Sequence, residues 1–161
     1  MKPMKGFTLI ETLVAITVLA LAVAGPFQAI QGALRNSFVA RDQLVAASLA
    51  QEGVEYVRSV RDGNYLGRQS WLTGLAACQP GPCVVDPTQG TVSASIAPLR
   101  LSPTGLYTQQ VTGGHPLTRF TREVTMTTIS TNEVLVTVTV EWQTGGGMFS
   151  LSVSENIRDW L

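Results

Sequence analysis

The sequence predicts an α+β protein: one long N-terminal helix, apolar through its first half, laid on a C-terminal antiparallel β-sheet. Three observations carry this. An unbroken apolar run fills Phe7 to Ala24, interrupted by a single charge. Apolar residues then recur at helical spacing to about Asp62, and from Leu117 onward they alternate with period two.

Residues Gly6 to Ala24 read GFTLIETLVAITVLALAVA and follow a short basic stretch containing Lys2 and Lys5. As a helix, the 18 residues from Phe7 to Ala24 cover about 27 Å, close to the hydrocarbon thickness of a bilayer. Glu11 is the one charge in the run. A carboxylate in hydrocarbon is expensive unless it has a cationic partner, and no Lys or Arg lies between Lys5 and Arg35. A cut between Gly6 and Phe7 would supply that partner. It would create a free ammonium on Phe7, one helical turn from Glu11, in the same chain or in a neighbour packed with an axial offset.

A basic leader ending in Gly6, then Phe7, Thr8, Leu9, Ile10 and Glu11 at the head of an apolar helix, resembles the class III signal of type IV pilins and type II secretion pseudopilins. The resemblance implies the type IV pilin fold and an assembly subunit. It makes Gly6 and Phe7 the cleavage junction of a prepilin peptidase, Phe7 the N-methylated terminus, and Glu11 the acidic residue that aids assembly. Methylation leaves the amine basic, so the pairing with Glu11 survives it. The implied partners are other pilins or pseudopilins of the filament, the peptidase and an inner-membrane assembly platform. Residues 46–62, AASLAQEGVEYVRSVRD, resemble the corresponding helix of PilV minor pilins and GspI pseudopilins, which implies a minor subunit. Two other readings stay open. Ala22, Val23 and Ala24 satisfy the small-residue rule for signal peptidase I, which would release a secreted protein after Ala24, although Pro26 just beyond is unfavourable. A tip adhesin or DNA-capture pilin is the other, with Arg68 and Trp71 as its only hint.

The expected organisation is a leader at 1–6, a transmembrane half-helix at 7–25, an amphipathic half-helix at 26–62, a variable loop at 63–103 and the sheet at 104–161. Lys2 and Lys5 before the apolar run leave the start in the cytoplasm and send the chain beyond Ala24 outward. Formal charge is zero, and loss of the leader leaves nine basic against eleven acidic side chains, so nothing suggests a nucleic-acid surface.

Gly25-Pro26 predicts a kink or a loosened turn, after which the helix resumes. Phe27, Ile30, Leu34, Phe38, Val45, Leu49, Val54, Val57 and Val60 form one apolar stripe. Glu55 with Arg58 and Arg58 with Asp62 are spaced as pairs on a solvated face. Gly53 weakens the helix by about 1 kcal/mol relative to Ala and suits a close approach by a strand or another subunit. Asp62, Gly63 and Asn64 are expected to end it.

The stretch to Thr91 reads as loop, pinned by Trp71 and Leu72. Cys78 and Cys83 stand in CQPGPC, where Pro80, Gly81 and Pro82 turn the chain, and an oxidising compartment lets the thiols bridge. Closing so short a loop removes little chain entropy, so the bridge is expected to stiffen a loop tip more than hold the fold. Strands are expected at 91–97, briefly from Leu106, then at 117–128, 133–143 and 148–157, the last three as a meander. In the middle one Val134, Val136, Val138, Val140 and Trp142 share a face, apolar because the helix covers it. Trp160 is expected to fold back onto the sheet.

The chemistry of catalysis is missing from the sequence. His115 is the only histidine and sits beside Pro116; there is no phosphate loop, no H-E-x-x-H and no second cysteine pair. The reading is a non-enzymatic subunit with no cofactor and no metal.

Overall fold

The computed structural model describes residues 6–79, 81–110 and 113–159. Lys2 and Lys5, Pro80 of the cysteine turn and Trp160 lie outside the described residues, and so do the expectations placed on them.

Helix α1 runs Leu9–Leu66 and carries on through Gly25 and Pro26, although proline has no N–H to donate. The chain divides into two compact units, Met1–Arg41 and Asp42–Leu161. In the first, every large apolar side chain from Phe7 through Phe38 is more than half exposed. The members Phe27, Ile30, Leu34 and Phe38 of the apolar stripe are therefore exposed side chains of this unit.

In the second unit α1 buries Asp42, Ala46, Leu49, Ala50, Gly53, Val54 and Val57. The buried line passes through small residues, with Val45 and Val60 at its margins, because the helix sits close to the sheet. A Cβ on Gly53 would lie 2.9 Å from a Val138 methyl and 3.4 Å from Cδ of Arg122. The close approach anticipated for Gly53 is to a strand of its own sheet.

The helix ends one turn beyond Asp62-Gly63-Asn64. Gln69 N–H donates to the Asn64 carbonyl at 2.9 Å and Arg68 N–H to the Tyr65 carbonyl at 3.0 Å, a Schellman closure with Arg68 at φ 53° in the left-handed position usually held by glycine. The Asn64 side chain donates to the carbonyls of Trp71 and Thr73, tying the returning chain to the last turn. Those bonds explain why Asn64, a turn former by composition, lies inside the helix. Trp71 and Leu72 pack against the core as expected.

The main sheet has the order β4-β3-β5-β6-β7, from Tyr107–Thr108, Pro98–Leu101, Leu117–Ser130, Glu133–Thr144 and Gly147–Arg158. The last three form the expected meander, paired Val138 to Val124 and to Val153. Gly145 and Gly146 make the two-residue β6–β7 turn at φ 57° and 84°, a left-handed conformation that favours glycine. Val134, Val136, Val138, Val140 and Trp142 are buried together, each valine contributing about 1.5 kcal/mol or more. The opposite face is rich in hydroxyls, with Thr137 bonded to Ser154 and Thr139 to Ser152, each at 2.9 Å.

Two strands were not anticipated. β3 begins at Pro98, where a strand's first residue tolerates a missing N–H, and its pairing with β5 shifts register at that point. β1 (Val84–Asp86) pairs with β2 (Thr91–Ser93) in a separate two-stranded sheet, and all three β1 residues are buried. β2 stops at Ser93, well short of the strand expected to reach Ala97.

Cys78 and Cys83 are joined, and both are fully buried. Cys83 exchanges two backbone hydrogen bonds with Val124 of β5, each at 2.8 Å. The bridge therefore belongs to the core and fastens the loop to the sheet, which corrects its expected role as a stiffener of a loop tip. The short loop does limit the entropic gain; the burial and the ladder with β5 give the position its weight.

Candidate functional site

The N-terminal segment is built around Thr8. Gly6, Phe7 and Thr8 precede the helix, and Phe7 is 79 % exposed. The Thr8 carbonyl accepts from the N–H groups of Glu11 at 3.1 Å and Thr12 at 3.2 Å, and its hydroxyl accepts from Glu11 N–H at 3.3 Å. Thr8, Leu9, Ile10 and Glu11 thus follow the T-x-x-E spacing of a capping box, a sequence signal that places the helix start two residues after Phe7. Glu11 lies in the first turn, where the helix dipole favours a negative charge. Thr12 and Thr17 donate back to the carbonyls of Leu9 and Val14 at 2.8 Å, which satisfies their hydroxyls inside an apolar stretch. The helix is long and apolar enough to cross a membrane, and no residue of its apolar window is buried. Side chains apolar on every face demand lipid or other helices around them.

The block at 46–62 holds a second feature that sequence reading missed. Arg122 of β5 is fully buried beneath α1. Its guanidinium donates to the Leu49 carbonyl at 3.1 Å, the Glu52 carboxylate at 2.5 Å and the Val85 carbonyl at 2.8 Å, so one side chain ties together α1, β5 and β1. Glu52 is therefore a partner of the core, not part of a solvated face. Arg58 pairs with Glu55 as the spacing suggested, but its other arm reaches Glu155 of β7 at 2.5 Å, and Asp62 pairs with Arg61 instead. The hydrogen bond and charge of Glu155 hold the Arg58 guanidinium above its ordinary value.

Asp86 closes the β1–β2 turn. Burial pushes its carboxyl up, but bonds from the Thr88 hydroxyl, Gln109 N–H, Thr108 hydroxyl and Thr88 N–H outweigh this and hold it below the 3.8 of a free aspartate. Because the folded value is depressed, the ionised carboxylate stabilises the fold above the free value, and that contribution is lost as pH falls through the folded one. Asp86→Asn is expected to lower stability at pH 7 by roughly 1 to 2 kcal/mol. Urea melts should also show it losing less stability than the parent between about pH 4 and pH 2; parallel losses would contradict this role. The signal was present in the sequence, since Asp-Pro-Thr-Gln-Gly after two valines is a turn with an Asp that binds its own backbone.

Arg68 is exposed, whereas Trp71 is half-buried against the core. Among the described residues, no group of three His, Cys, Asp or Glu is placed to hold a metal ion.

Residues 1–25 match the model of the prokaryotic N-terminal methylation motif. No curated protein and no solved structure matches the chain. The motif supports a prepilin of the type IV pilin or pseudopilin kind, a structural subunit rather than an enzyme, and with the apolar helix it fits a single-pass inner-membrane anchor. The architecture agrees: a long N-terminal helix whose second part packs on a C-terminal antiparallel sheet is the type IV pilin arrangement.

Proposed function

We propose that the chain is a minor pilin or pseudopilin of the PilV or GspI kind, cut between Gly6 and Phe7, N-methylated on Phe7, and drawn into a type IV pilus or secretion pseudopilus. The match of residues 1–25 to the methylation motif carries this reading. Two features support it. Gly6 and Phe7 are exposed and non-helical ahead of the Thr8 cap, a backbone state a peptidase can engage. Apolar side chains uncovered on all sides of the following helix suit a filament core of packed neighbours.

Assembly is the mechanism. In surroundings that exclude water, the Phe7 ammonium of one subunit and the Glu11 carboxylate of the next attract strongly and set their axial offset, while the apolar faces supply contact area. The chain begins in the cytoplasm, its sheet lies outside, and its partners are other subunits, the prepilin peptidase and the assembly platform.

The N-terminal mass of protein recovered from membranes tests processing. N-methylated Phe7 is expected; Gly25 would identify a secreted product instead, and an intact Met1 a plain anchor. Glu11→Ala is expected to be processed normally yet to fall about tenfold or more in filament incorporation. Normal incorporation would remove Glu11 from the mechanism.

A further inference from the structure

β7 is an edge strand, and among the described residues no strand pairs with its other side. Its pairing with β6 runs from Thr144 and Gly147 to Glu133 and Arg158 without a register shift. Asp159 N–H donates to the Asn132 carbonyl at 2.9 Å, which continues that ladder. Odd-numbered β7 residues therefore bond to β6, and the backbone groups of Met148, Ser150, Ser152, Ser154 and Asn156 point to the free side. Natural edge strands are blunted by proline, lysine, inward charge or a bulge. β7 has no proline, lysine or bulge, and its one inward charge, Glu155, is taken up by Arg58. The opposite edge, β4, is two residues long.

The inner face of β7 is also incompletely covered. α1 lies against β6 and β5 through Gly53, leaving Phe149, Leu151 and Val153 half-buried at the margin of the core. Between α1 and β7 runs a groove of about 510 Å³, lined by Gln51, Glu52, Glu55 and Arg58 on the helix and Val153 and Glu155 on the strand. Three carboxylates line it against two guanidiniums, Arg58 bonded to Glu55 and Glu155 and the buried Arg122 bonded to Glu52, which leaves an excess of one negative charge.

We propose that β7 and this groove dock an extended strand of a neighbouring subunit, with apolar side chains over Leu151 and Val153 and a Lys or Arg at Glu55 and Glu155. The proposal rests on the filament-subunit reading. Backbone bonds along the edge would supply affinity and the alternating side chains selectivity. A second copy's β7 does not fit, since Glu155 is the only charge on its inner face and it would enter an already acidic groove.

Photocrosslinking in cells making the full chain tests this, with p-benzoylphenylalanine placed at Ser152, at Leu19 in the apolar helix, or at Thr137 in mid-sheet. The expected result is an adduct from Ser152, and none from Thr137, to an extended segment of another subunit carrying Lys or Arg. That adduct should fall about tenfold in Ser154→Pro, whose N–H points away from β6 so that the ladder is kept, and in a Glu55→Lys, Glu155→Lys double variant. Circular dichroism melts confirm folding of each variant, and the charge reversal carries the test if the proline variant does not fold. Crosslinking from Leu19 but not from Ser152, or a Ser152 adduct unchanged in a folded variant, overturns strand docking and leaves the filament reading intact. Absence of adducts from both positions overturns both.

Discussion

Glu52→Ala is expected to lower the unfolding free energy by about 3 kcal/mol, measured by urea denaturation of the full chain in detergent. The mutation strips the carboxylate from a fully buried guanidinium and leaves its charge to two main-chain carbonyls, Leu49 and Val85. A buried cation without its counter-charge destabilises far more than the pair itself stabilises, because desolvation of the charge is no longer offset. Replacing both partners, as Arg122→Met with Glu52→Leu, is therefore expected to return stability to within about 1 kcal/mol of the parent. A loss below about 1 kcal/mol for Glu52→Ala would mean that the carbonyls alone suffice for Arg122.

Gly53→Leu is expected to cost about 3 kcal/mol and to lower Tm by several degrees. Here the relevant fact is distance: even a single added carbon meets a Val138 methyl at 2.9 Å, and valine has few rotamers with which to yield. Gly53→Ala separates the opposing effects. Helix propensity favours alanine by about 1 kcal/mol, whereas overpacking against Val138 and Arg122 costs about 1 to 3 kcal/mol, so a net loss is expected. A more stable alanine variant would show that helix and sheet can move apart without penalty.

The meander was legible because its strands alternate cleanly and its turns are glycine or Ser-Thr-Asn; the face from Val134 to Trp142 is buried as the period requires. The long helix was legible for the same reason. Its ends were not. Thr8 caps it so that it starts at Leu9, two residues after Phe7, and the side-chain bonds of Asn64 carry it past residues that composition marks as a stop. β1 was hidden because three residues between two proline-containing turns show no period, and their burial comes from Cys83 pairing with Val124, forty-one positions away in sequence. Arg122 was hidden for a related reason. In sequence it is one more charge in an alternating strand, and only the backbone-close helix over it turns it into a link among three elements. Local pattern gives period and turns, while long-range partners decide which polar residue lies inside. The N-terminal motif, by contrast, is a contiguous stretch, and its match to the methylation motif at residues 1–25 rests on local sequence alone.

The Thr8 cap bears on what a cut after Gly6 would do to the electrostatics of the chain. The Gly6–Phe7 bond stands outside the helix, so a cut there would leave the hydrogen bonds of the first turn in place. It would also set a new positive charge beside the end of the helix where partial positive charge already accumulates, an arrangement unfavourable by roughly 0.3 to 1 kcal/mol and more where water is scarce. Maturation would then add a positive charge to a helix start that already carries the Glu11 carboxylate, with the Thr8 cap kept. A nearby carboxylate from an adjacent molecule offsets that charge, so the same cut that frees the subunit would also give it a reason not to remain alone.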